Sequence, residues 1–469
     1  MNYDELETWS AKVAAWGSEY HRTLRHQSVR PQVAPGAIAA QLPGSPPEHA
    51  EGMEAIFADF QRLIPDGMTH WQHPRFFAYF PSNAAPASIL AEQVANYMSA
   101  QCMLWQTSPA ATELETVMID WLRQALGLPE GWRGVLQDTA TSATLSAVLT
   151  MREKAMGWRG LAEGLSGMPR LRIYASAQTH SSIDKAVRLA GIGQNNLVKI
   201  PTDANYAMRA DALQRAIDED RAAGFVPVGV IGCIGGTSMG ASDRLNEILA
   251  IAQQESLYSH VDAAWAGSAM ICPEFREIWA GIERADSLVF NPHKWLGANF
   301  DCSVQFLKEP TDQIRTLAIR PQYLETLETD QMTNYSEWTI PLGRRFRALK
   351  LWFLLRAYGL EGLRGRIRNH VAWANEAAMA IAKIPNMEIV TTPRLALFTF
   401  RYVPPGIDPD VATRTLLEAI NQDGRTYLTQ TTHEGKFVIR MSVGHFETTQ
   451  ADVLDAVSIV GELARGLQW

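Results

Sequence analysis

The sequence is poor in cysteine and has no excess of positive charge. Four cysteines occur in 469 residues, and no two of them form a C-x-x-C pair. This argues against a zinc site and against a disulfide framework, and it favours buried free thiols in a reducing cytoplasm. Acidic residues outnumber basic ones by 50 to 42, which gives a formal net charge of −8. A nucleic-acid-binding or anionic-membrane-binding surface is therefore not expected.

Long apolar runs and several catalytic signatures are also missing. No run approaches the roughly 20 residues that a membrane span requires, and the acidic N-terminus lacks the basic and apolar regions of a signal peptide. There is no G-x-S-x-G elbow and no Walker loop. His70 and His73 have ligand-like spacing, but no carboxylate or third histidine accompanies them at recognisable spacing, so no metal site is predicted.

What the sequence does contain is enough apolar surface for a large core. Hydrophobic residues make up 46% of the chain, which includes 14 tryptophans. Residues 1–85 form an exception, because they read as short helical pieces joined by proline- and glycine-rich stretches, with too little periodic apolar surface for a core of their own. This N-terminal segment is expected to lie over another part of the molecule or over a second subunit.

From about residue 86 onward, short apolar strands alternate with helical stretches, which is typical of a mostly parallel sheet covered on both faces. We therefore predict an α/β fold with an N-terminal helical segment at 1–85, a large domain at 86–360 and a small α+β C-terminal domain at 361–469. The predicted strands are Leu171–Ala175, Leu197–Ile200, Val226–Ile234, Leu257–Val261 and Ser287–Phe290 in the large domain, and Leu395–Val403 and Lys436–Val443 in the small one.

Polar residues follow several of these strands, at the sheet edge where open α/β proteins bind their ligands. Those with the clearest chemistry are His180, Thr237, Asp262 and Lys294. A lysine that can be neutral forms a Schiff base with an aldehyde, and a carboxylate keeps a pyridine nitrogen protonated so that the ring accepts electrons. Each residue alone is more often a solvated strand end, a helix cap or a core histidine. Together they are the partners that an aldehyde cofactor with a pyridine ring needs.

A hydroxyl-rich segment, Gln137 to Ser142, opens a predicted helix after a short apolar stretch. Free backbone N–H groups at a helix N-terminus, together with hydroxyls, suit a phosphate dianion. The alternative is an ordinary helix cap, which such segments more commonly form.

Several long blocks, in the same order, resemble the group II pyridoxal-phosphate (PLP)-dependent decarboxylases, most closely the aromatic-L-amino-acid decarboxylases. The similarity covers nearly the whole chain. It implies an aspartate aminotransferase-like (fold-type I) PLP enzyme that acts on a small-molecule amino acid as a homodimer, with the N-terminal segment wrapped around the partner. The strongest blocks are His73–Pro81, Thr107–Thr116, His260–Ser268, Asn291–Leu296 and Ile340–Arg347.

Carried over by position, the resemblance also implies a cofactor site. Lys294 would carry pyridoxal 5'-phosphate as a Schiff base, Asp262 would pair with the pyridine nitrogen, and His180 would stack on the ring. Ser82 falls where the family contacts cofactor or substrate. The residues that would hold the phosphate or nearby cofactor atoms are Thr139, Ala140, Thr141, Thr237 and His293, with Asn291 orienting the same pocket.

Tyr323 matches the catalytic tyrosine of the family, on a polar loop that runs from about Tyr323 to Trp338. In the family this tyrosine protonates the substrate carbon after carbon dioxide leaves, and relatives with phenylalanine there tend to form aldehydes by oxidative deamination. Tyrosine therefore favours a simple amine product. Two departures are an aspartate, Asp138, where animal members have glycine, and a slightly shorter loop.

The resemblance also implies an aromatic-lined substrate slot, formed by Trp71, Tyr79, Phe80 and the partner subunit's Met103. Gly343 stands where histidine decarboxylases of the family tend to carry serine, and no arginine stands out as a clamp for a distal carboxylate. The predicted substrate is therefore tryptophan, tyrosine, phenylalanine or DOPA. The alternatives are a histidine, glutamate or aspartate decarboxylase, an aldehyde-forming oxidative deaminase, and a PLP-binding homologue without catalysis.

Overall fold

A computed structural model describes residues 1–319 and 332–468. This part of the chain divides into two compact units. The larger unit comprises residues 82–371, and the smaller unit combines residues 1–81 with 372–469. In this division the N-terminal segment and the C-terminal part of the chain belong to the same unit, and the three-domain division stays a prediction.

Helices and strands alternate through most of the chain. The helices are α1 (Tyr3–Thr23), α2 (Met53–Leu63), α3 (Pro86–Met98), α4 (Pro109–Leu126), α5 (Ala140–Ala155), α6 (Gly160–Glu163), α7 (Ser181–Leu189), α8 (Ala210–Ala222), α9 (Leu245–Gln254), α10 (Thr311–Leu317), α11 (Arg347–Ile381), α12 (Pro409–Asp423) and α13 (Gln450–Gly466). The strands are β1 (Arg133–Gln137), β2 (Leu171–Ser176), β3 (Leu197–Ile200), β4 (Val226–Cys233), β5 (Tyr258–Asp262), β6 (Ser287–Phe290), β7 (Ser303–Leu307), β8 (Met387–Arg394), β9 (Leu397–Tyr402), β10 (Thr429–His433) and β11 (Lys436–Ser442).

The larger unit is built on a seven-stranded sheet with the strand order β1-β7-β6-β5-β4-β2-β3. Strands β2 to β6 run parallel to one another, whereas β7 is antiparallel to both of its neighbours, β1 and β6. Every residue of β5, β6 and β7 is buried, as expected for strands that are covered on both faces. The carboxyl ends of the parallel strands therefore meet at one edge of this sheet.

Local signals explain several helix ends. Helix α4 begins with Pro109 at its first position and ends at Gly127, whose φ of 71° is left-handed. Helix α13 begins with a capping box, in which Thr449 and Asp452 each bond the backbone of the other. The long helix α11 loses helical geometry at Gly359, where φ is 61° and ψ is 166°.

The smaller unit contains a four-stranded antiparallel sheet with the order β10-β11-β9-β8. Helix α1 has no buried residue. It contacts α2 through aromatic edges, with the ring centroids of Trp16 and Phe60 4.8 Å apart. That the N-terminal segment lies over another part of the molecule or over a second subunit stays a prediction.

The α/β class predicted from the sequence is confirmed. Strands β3 and β6 have the predicted bounds, β2 and β4 differ by a single residue at one end, and β5 is shifted by one residue at both ends. Strand β7 was missed, because it carries Gln305 at its centre and polar residues are seldom buried in a strand. The buried Gln305 amide is paired, because its Oε1 accepts a 3.0 Å hydrogen bond from Gln137 Nε2 and its Nε2 donates to Gln313 Oε1 at 2.8 Å.

Across residues 1–319 and 332–468, no helix is long and apolar enough to cross a membrane. Over the same residues, no group of three histidine, cysteine, aspartate or glutamate side chains is arranged to hold a metal ion. His70 shares a 2.9 Å hydrogen bond with the Tyr20 hydroxyl, and His73 Nδ1 accepts one from the Arg75 N–H at 2.9 Å. These two histidines thus make structural contacts.

Candidate active site

Asp262 and Lys294 follow two neighbouring parallel strands. Asp262 is the last residue of β5 and is 6% exposed. Its Oδ1 accepts a hydrogen bond from the Ala264 N–H at 3.0 Å. Strand β6 runs directly into Asn291, whose N–H donates to the Ala264 carbonyl at 2.9 Å. This bond ties the loop after β5 to the segment that carries Lys294.

Lys294 lies in a tight turn, Pro292–Leu296, and its backbone angles, φ −94° and ψ −109°, are not helical. Its N–H donates to the Asn291 carbonyl at 3.0 Å. Its carbonyl accepts a 2.6 Å hydrogen bond from Asn83 Nδ2. Hydrogen bonds at both its N–H and its carbonyl therefore fix the backbone conformation of Lys294.

Asn83 is a site residue that the sequence analysis missed, although its neighbour Ser82 was singled out. The Asn83 N–H donates to the His293 carbonyl at 3.1 Å, and the Ala85 N–H donates to the Gly297 carbonyl at 3.0 Å. The segment that begins at Ser82 thus runs alongside the lysine turn. No local pattern marks an asparagine whose partner lies 211 residues further along the chain.

His180 caps helix α7, since its Nδ1 accepts a hydrogen bond from the Ser182 N–H at 3.1 Å. Its pKa is lowered chiefly by partial burial; the Asp262 carboxylate raises it and the Lys294 ammonium lowers it. The charges of Asp262 and Lys294 therefore both act on the His180 ring. Because Nδ1 accepts, the neutral ring carries its proton on Nε2.

His293 is 4% exposed, and its Nδ1 accepts a hydrogen bond from the Cys302 N–H at 2.9 Å. Burial, reinforced by the charge of Lys294, lowers the pKa of His293 to about 3. The ring is therefore neutral at physiological pH and carries its proton on Nε2. In this state it supplies a hydrogen-bond donor without adding a charge.

Ser303, at the start of β7, links Asn291 to the segment that opens helix α5. Its hydroxyl donates to Asn291 Oδ1 at 2.7 Å and approaches the Asp138 carbonyl at 3.4 Å. Asn291 is 3% exposed, so its side-chain orientation depends on this bond. The sequence analysis did not single out Ser303, because its partners come from two other loops.

The start of α5 has the features expected of an anion site. Thr139 precedes the helix with an extended backbone, and Ala140 is its first residue. The first N–H groups of a helix have no partner within it, and the hydroxyl of Thr141 lies in the same turn. The Asp138 carboxylate accepts a hydrogen bond from the Thr139 N–H at 2.7 Å. The negative charge of Asp138 is therefore bonded to a backbone N–H at the start of the helix.

Thr237 lies in the loop that follows β4. The loop turns at Gly235, whose φ is 74°, and the N–H of this glycine donates to the Ser242 hydroxyl at 3.2 Å. The Gly236 N–H donates to the Ala241 carbonyl at 2.8 Å. These bonds close the loop on itself and fix the backbone on either side of Thr237.

Met103 and Gly343 belong to two segments that lie side by side in the larger unit. The Arg344 N–H donates to Gln101 Oε1 at 2.7 Å, and the Cys102 N–H donates to the Arg344 carbonyl at 2.9 Å. A methyl group on Gly343 would stand 3.2 Å from the Gln101 amide nitrogen. Any larger residue at this position therefore has to displace the glutamine side chain.

Trp71, Tyr79 and Phe80 belong to the smaller unit. The rings of Trp71 and Tyr79 stack with their centroids 5.8 Å apart, and the guanidinium of Arg440 lies 5.2 Å from the Phe80 ring centroid. Arg440 Nη1 donates to the Tyr79 carbonyl at 2.7 Å, and burial lowers the pKa of Arg440 to about 10. The sequence analysis missed this arginine; its position inside the apolar strand β11 was the available signal.

These side chains fit pyridoxal phosphate, which needs an amine for its aldehyde, an anion for its pyridine nitrogen and N–H donors for its phosphate. A carboxylate as buried as Asp262 is stabilised by a positive partner, which a protonated pyridine supplies. Lys294 would provide the amine, and the start of α5 and neutral His293 would provide donors. Tyr323 lies outside the described residues. The fold and these side chains define a PLP-dependent enzyme.

The comparisons with known proteins agree. Residues 35–403 match the family described as "Pyridoxal-dependent decarboxylase conserved domain". The chain is 38% identical to phenylacetaldehyde synthase of Arabidopsis thaliana, with 99% of this chain and 96% of the relative covered. It is 39% identical to aromatic-L-amino-acid decarboxylase of Cavia porcellus, with 99% and 98% covered. The crystal structure of Oryza sativa TDC with PLP and tryptamine has a TM-score of 0.96 at 34% identity and covers 99% of each chain.

The chain therefore belongs to the pyridoxal-dependent decarboxylase family. It is a PLP-dependent carboxy-lyase, and pyridoxal 5'-phosphate is its cofactor. Its named relatives include both a decarboxylase and an aldehyde synthase.

Proposed function

We propose that the enzyme removes the α-carboxylate from an aromatic L-amino acid and releases the corresponding amine and carbon dioxide. The proposed substrates are tryptophan, tyrosine, phenylalanine and DOPA. The observation that carries the proposal is the position of Asp262 and Lys294 after two neighbouring parallel strands, whose following loops are joined by the hydrogen bond from the Asn291 N–H to the Ala264 carbonyl. The aromatic class is supported by the decarboxylase of Cavia porcellus and by the tryptamine in the Oryza sativa structure.

The proposed roles follow from the chemistry of each group. Bound PLP supplies an aldehyde that attaches amino groups and a protonated ring that accepts electrons from the bond to be broken. Lys294 provides the amine for attachment, and Asp262 keeps the proton on the pyridine nitrogen. His180 packs against the ring and offers its Nε2–H as a donor. The groups proposed to hold the phosphate and the nearby pocket are Thr139, Ala140, Thr141, Thr237, Asn291 and His293.

The final protonation of the substrate carbon is assigned to Tyr323 on the basis of the resemblance alone. With this tyrosine replaced, carbon dioxide would still leave, but the delayed proton would give dissolved dioxygen time to take the two electrons. Water would then supply the aldehyde oxygen and ammonia would leave, so Tyr323→Phe should lower amine formation and raise aldehyde, ammonia and peroxide. The measurement is the amine-to-aldehyde ratio at matched carbon dioxide release. Full-rate amine production by Tyr323→Phe would remove this residue from the proposal.

A second candidate reaction is the oxidative deamination that yields an aldehyde, which the similarity to phenylacetaldehyde synthase favours. The deciding experiment incubates the holoenzyme with tryptophan, tyrosine, phenylalanine, DOPA, histidine and glutamate, and it quantifies amine, carbon dioxide and peroxide together. Aromatic amine in step with carbon dioxide and without peroxide supports decarboxylation. Peroxide with aldehyde supports the second candidate, and turnover of glutamate or histidine alone refutes the aromatic class.

The proposed substrate contacts are Trp71, Tyr79, Phe80, Ser82, Met103 and Gly343. The tight space beside Gly343 supports its role, because a hydroxymethyl group there would press on Gln101. Gly343→Ser should therefore lower kcat/KM for tryptophan by about tenfold, the effect of a misfit of one small group in a pocket. The visible absorbance of bound PLP should stay unchanged. An unchanged ratio of activities towards tryptophan and tyrosine would remove Gly343 from the specificity site.

We further propose a cytoplasmic homodimer. One face of helix α3 supports the dimer, because it leaves an apolar stripe uncovered at helical spacing; its members Leu90, Val94, Tyr97 and Met98 are between 42% and 63% exposed. The four free cysteines, all buried, support a reducing compartment. Sedimentation of the holoenzyme should give twice the chain mass, and cell fractionation tests the location. A monomer at micromolar concentration would refute the dimer.

A further inference from the structure

Two buried tryptophans stack directly behind the residues proposed to bind the cofactor. Trp265 and Trp295 are each 1% exposed, with ring centroids 4.8 Å apart and planes at 14°. Trp295 follows Lys294 in the sequence, and Trp265 comes three residues after Asp262. The stacked pair therefore joins the loop that carries the amine to the loop that carries the carboxylate.

The loop that carries Thr237 packs against the same tryptophan. A methyl group placed on Gly235 would lie 3.1 Å from Trp265 Cε3 and 2.4 Å from the Cβ of Ala266. A glycine is thus needed both for its positive φ and for the close approach. Trp265 consequently has the Thr237 loop on one side and the lysine turn, through Trp295, on another.

His370, on helix α11, fixes the orientation of this pair. It is fully buried, and its Nδ1 accepts a 2.9 Å hydrogen bond from Trp295 Nε1. Burial lowers the pKa of His370 to about 3, so the ring stays neutral. Burying an imidazole costs free energy that an apolar side chain of similar size would not. In addition to its packing, the His370 ring supplies the acceptor for the Trp295 Nε1–H and so fixes the direction of this hydrogen bond.

We propose that Trp265, Trp295 and His370 are positioning residues, a buried clamp that fixes Lys294 and Asp262 relative to each other and so sets the orientation in which PLP is held. The clamp rests on the proposed roles of Lys294 and Asp262, whereas the identity of the cofactor does not depend on it.

The test uses substitutions that separate packing from hydrogen bonding. Trp295→Phe keeps a ring for stacking but removes the donor, and His370→Leu keeps the bulk but removes the acceptor. His370→Asn retains an acceptor close to the position of Nδ1 and serves as the rescue. Each holoenzyme is measured for the rate of PLP release into a trap, for visible circular dichroism per bound PLP and for its thermal midpoint.

The matched control is Trp158→Phe in the same unit. Trp158 Nε1 donates to the Thr316 hydroxyl at 3.3 Å, so this change deletes the same type of bond away from the proposed cofactor residues. Loss of one partner of a buried hydrogen bond should speed PLP release about tenfold in Trp295→Phe and in His370→Leu, with altered circular dichroism. The control should lower the thermal midpoint alone, and His370→Asn should restore most of the slow release.

The clamp is overturned if Trp295→Phe and His370→Leu lower the thermal midpoint while PLP release and circular dichroism match the control. If one of these variants does not fold, the other decides; if neither folds, Trp265→Phe is measured in the same way, and unchanged release overturns the clamp. Lys294→Arg separates this failure from that of the proposed function. A wild-type visible spectrum in Lys294→Arg refutes the role of the lysine, whereas a lost spectrum together with unaltered clamp variants refutes the clamp only.

Discussion

Lowering the pH should destabilise the larger unit at pH values well above those at which carboxylates titrate, because three of its histidines are buried and neutral. Burial lowers the pKa of His293 and His370 to about 3 and that of His260 to about 4. In the unfolded chain a histidine titrates near 6.5. Between these pH values the histidines bind protons in the unfolded state but not in the folded state. The stabilisation is complete above pH 6.5 and is lost as the pH falls towards the folded pKa.

The size of the effect follows from proton uptake by the unfolded chain. One pKa unit corresponds to about 1.4 kcal/mol, so each histidine that stays neutral in the fold removes about 2 kcal/mol between pH 7 and pH 5. Three such residues together remove about 6 kcal/mol, comparable with the whole stability of many domains. Asp243 returns about 1 kcal/mol over the same range, because burial raises its pKa to about 6 and the folded state binds its proton first. The result does not depend on whether a folded pKa is 3 or 4, because both values lie below the window.

The assay is urea unfolding of the holoenzyme at pH 7, 6 and 5, followed by tryptophan fluorescence. His260→Gln removes one titrating group and should lose about 2 kcal/mol less than the wild type over this range. Ser287→Ala is the control, since it deletes the 2.8 Å bond between the Ser287 hydroxyl and His260 Nδ1 but leaves the imidazole. It should lower stability equally at each pH. Parallel pH profiles for wild type and His260→Gln would refute the reasoning.

Three further predictions concern single buried contacts. Glu115→Gln leaves Arg344 without its carboxylate partner, which lies 2.6 Å away with both side chains under 4% exposed, and should cost about 3–5 kcal/mol in urea unfolding; a loss below 1 kcal/mol would contradict this. Gly235→Ala places a methyl group 2.4 Å from the Cβ of Ala266. This clash should cost at least about 1–3 kcal/mol of stability and lower the thermal midpoint. An unchanged midpoint would show that the loop can move to accommodate the methyl group. Ser303→Ala frees the buried Asn291 oxygen and should weaken PLP binding about tenfold in an absorbance titration, whereas unaltered binding would separate Asn291 from the cofactor pocket.

The parts of the fold that the sequence revealed are those with a strong local signal. Strands β3 and β6 are short apolar runs bounded by polar residues, and their limits were predicted to the residue. The polar residues after the parallel strands were found in the same way, because strand direction alone brings Asp262 and Lys294 to one edge. The resemblance added roles to these residues, and it did so by comparison with relatives.

What the sequence hid are residues whose partners come from distant segments. Asn83 bonds a carbonyl in the lysine turn, and Ser303 bonds Asn291. His370 accepts from Trp295 across 75 residues of sequence. In each case the side chain has an ordinary local environment, and its role follows only from which segments the sheet brings together. The one signal that the sequence offered for such residues was a polar residue within an apolar stretch, as with Arg440 in β11 and Gln305 in β7.

The neutral histidines bear on the chemistry as well as on stability. Asp262 can serve a protonated pyridine only if no nearer cation competes for its charge. Burial lowers the pKa of His180 even though Asp262 raises it, and His293 is held neutral beside Lys294. Under the proposed pairing of Asp262 with the pyridine nitrogen, both rings therefore supply N–H donors and add no competing cation. A charged side chain at either position should therefore reduce the ability of the cofactor ring to accept electrons. At equal PLP occupancy, His180→Lys should lower kcat more than His180→Gln does.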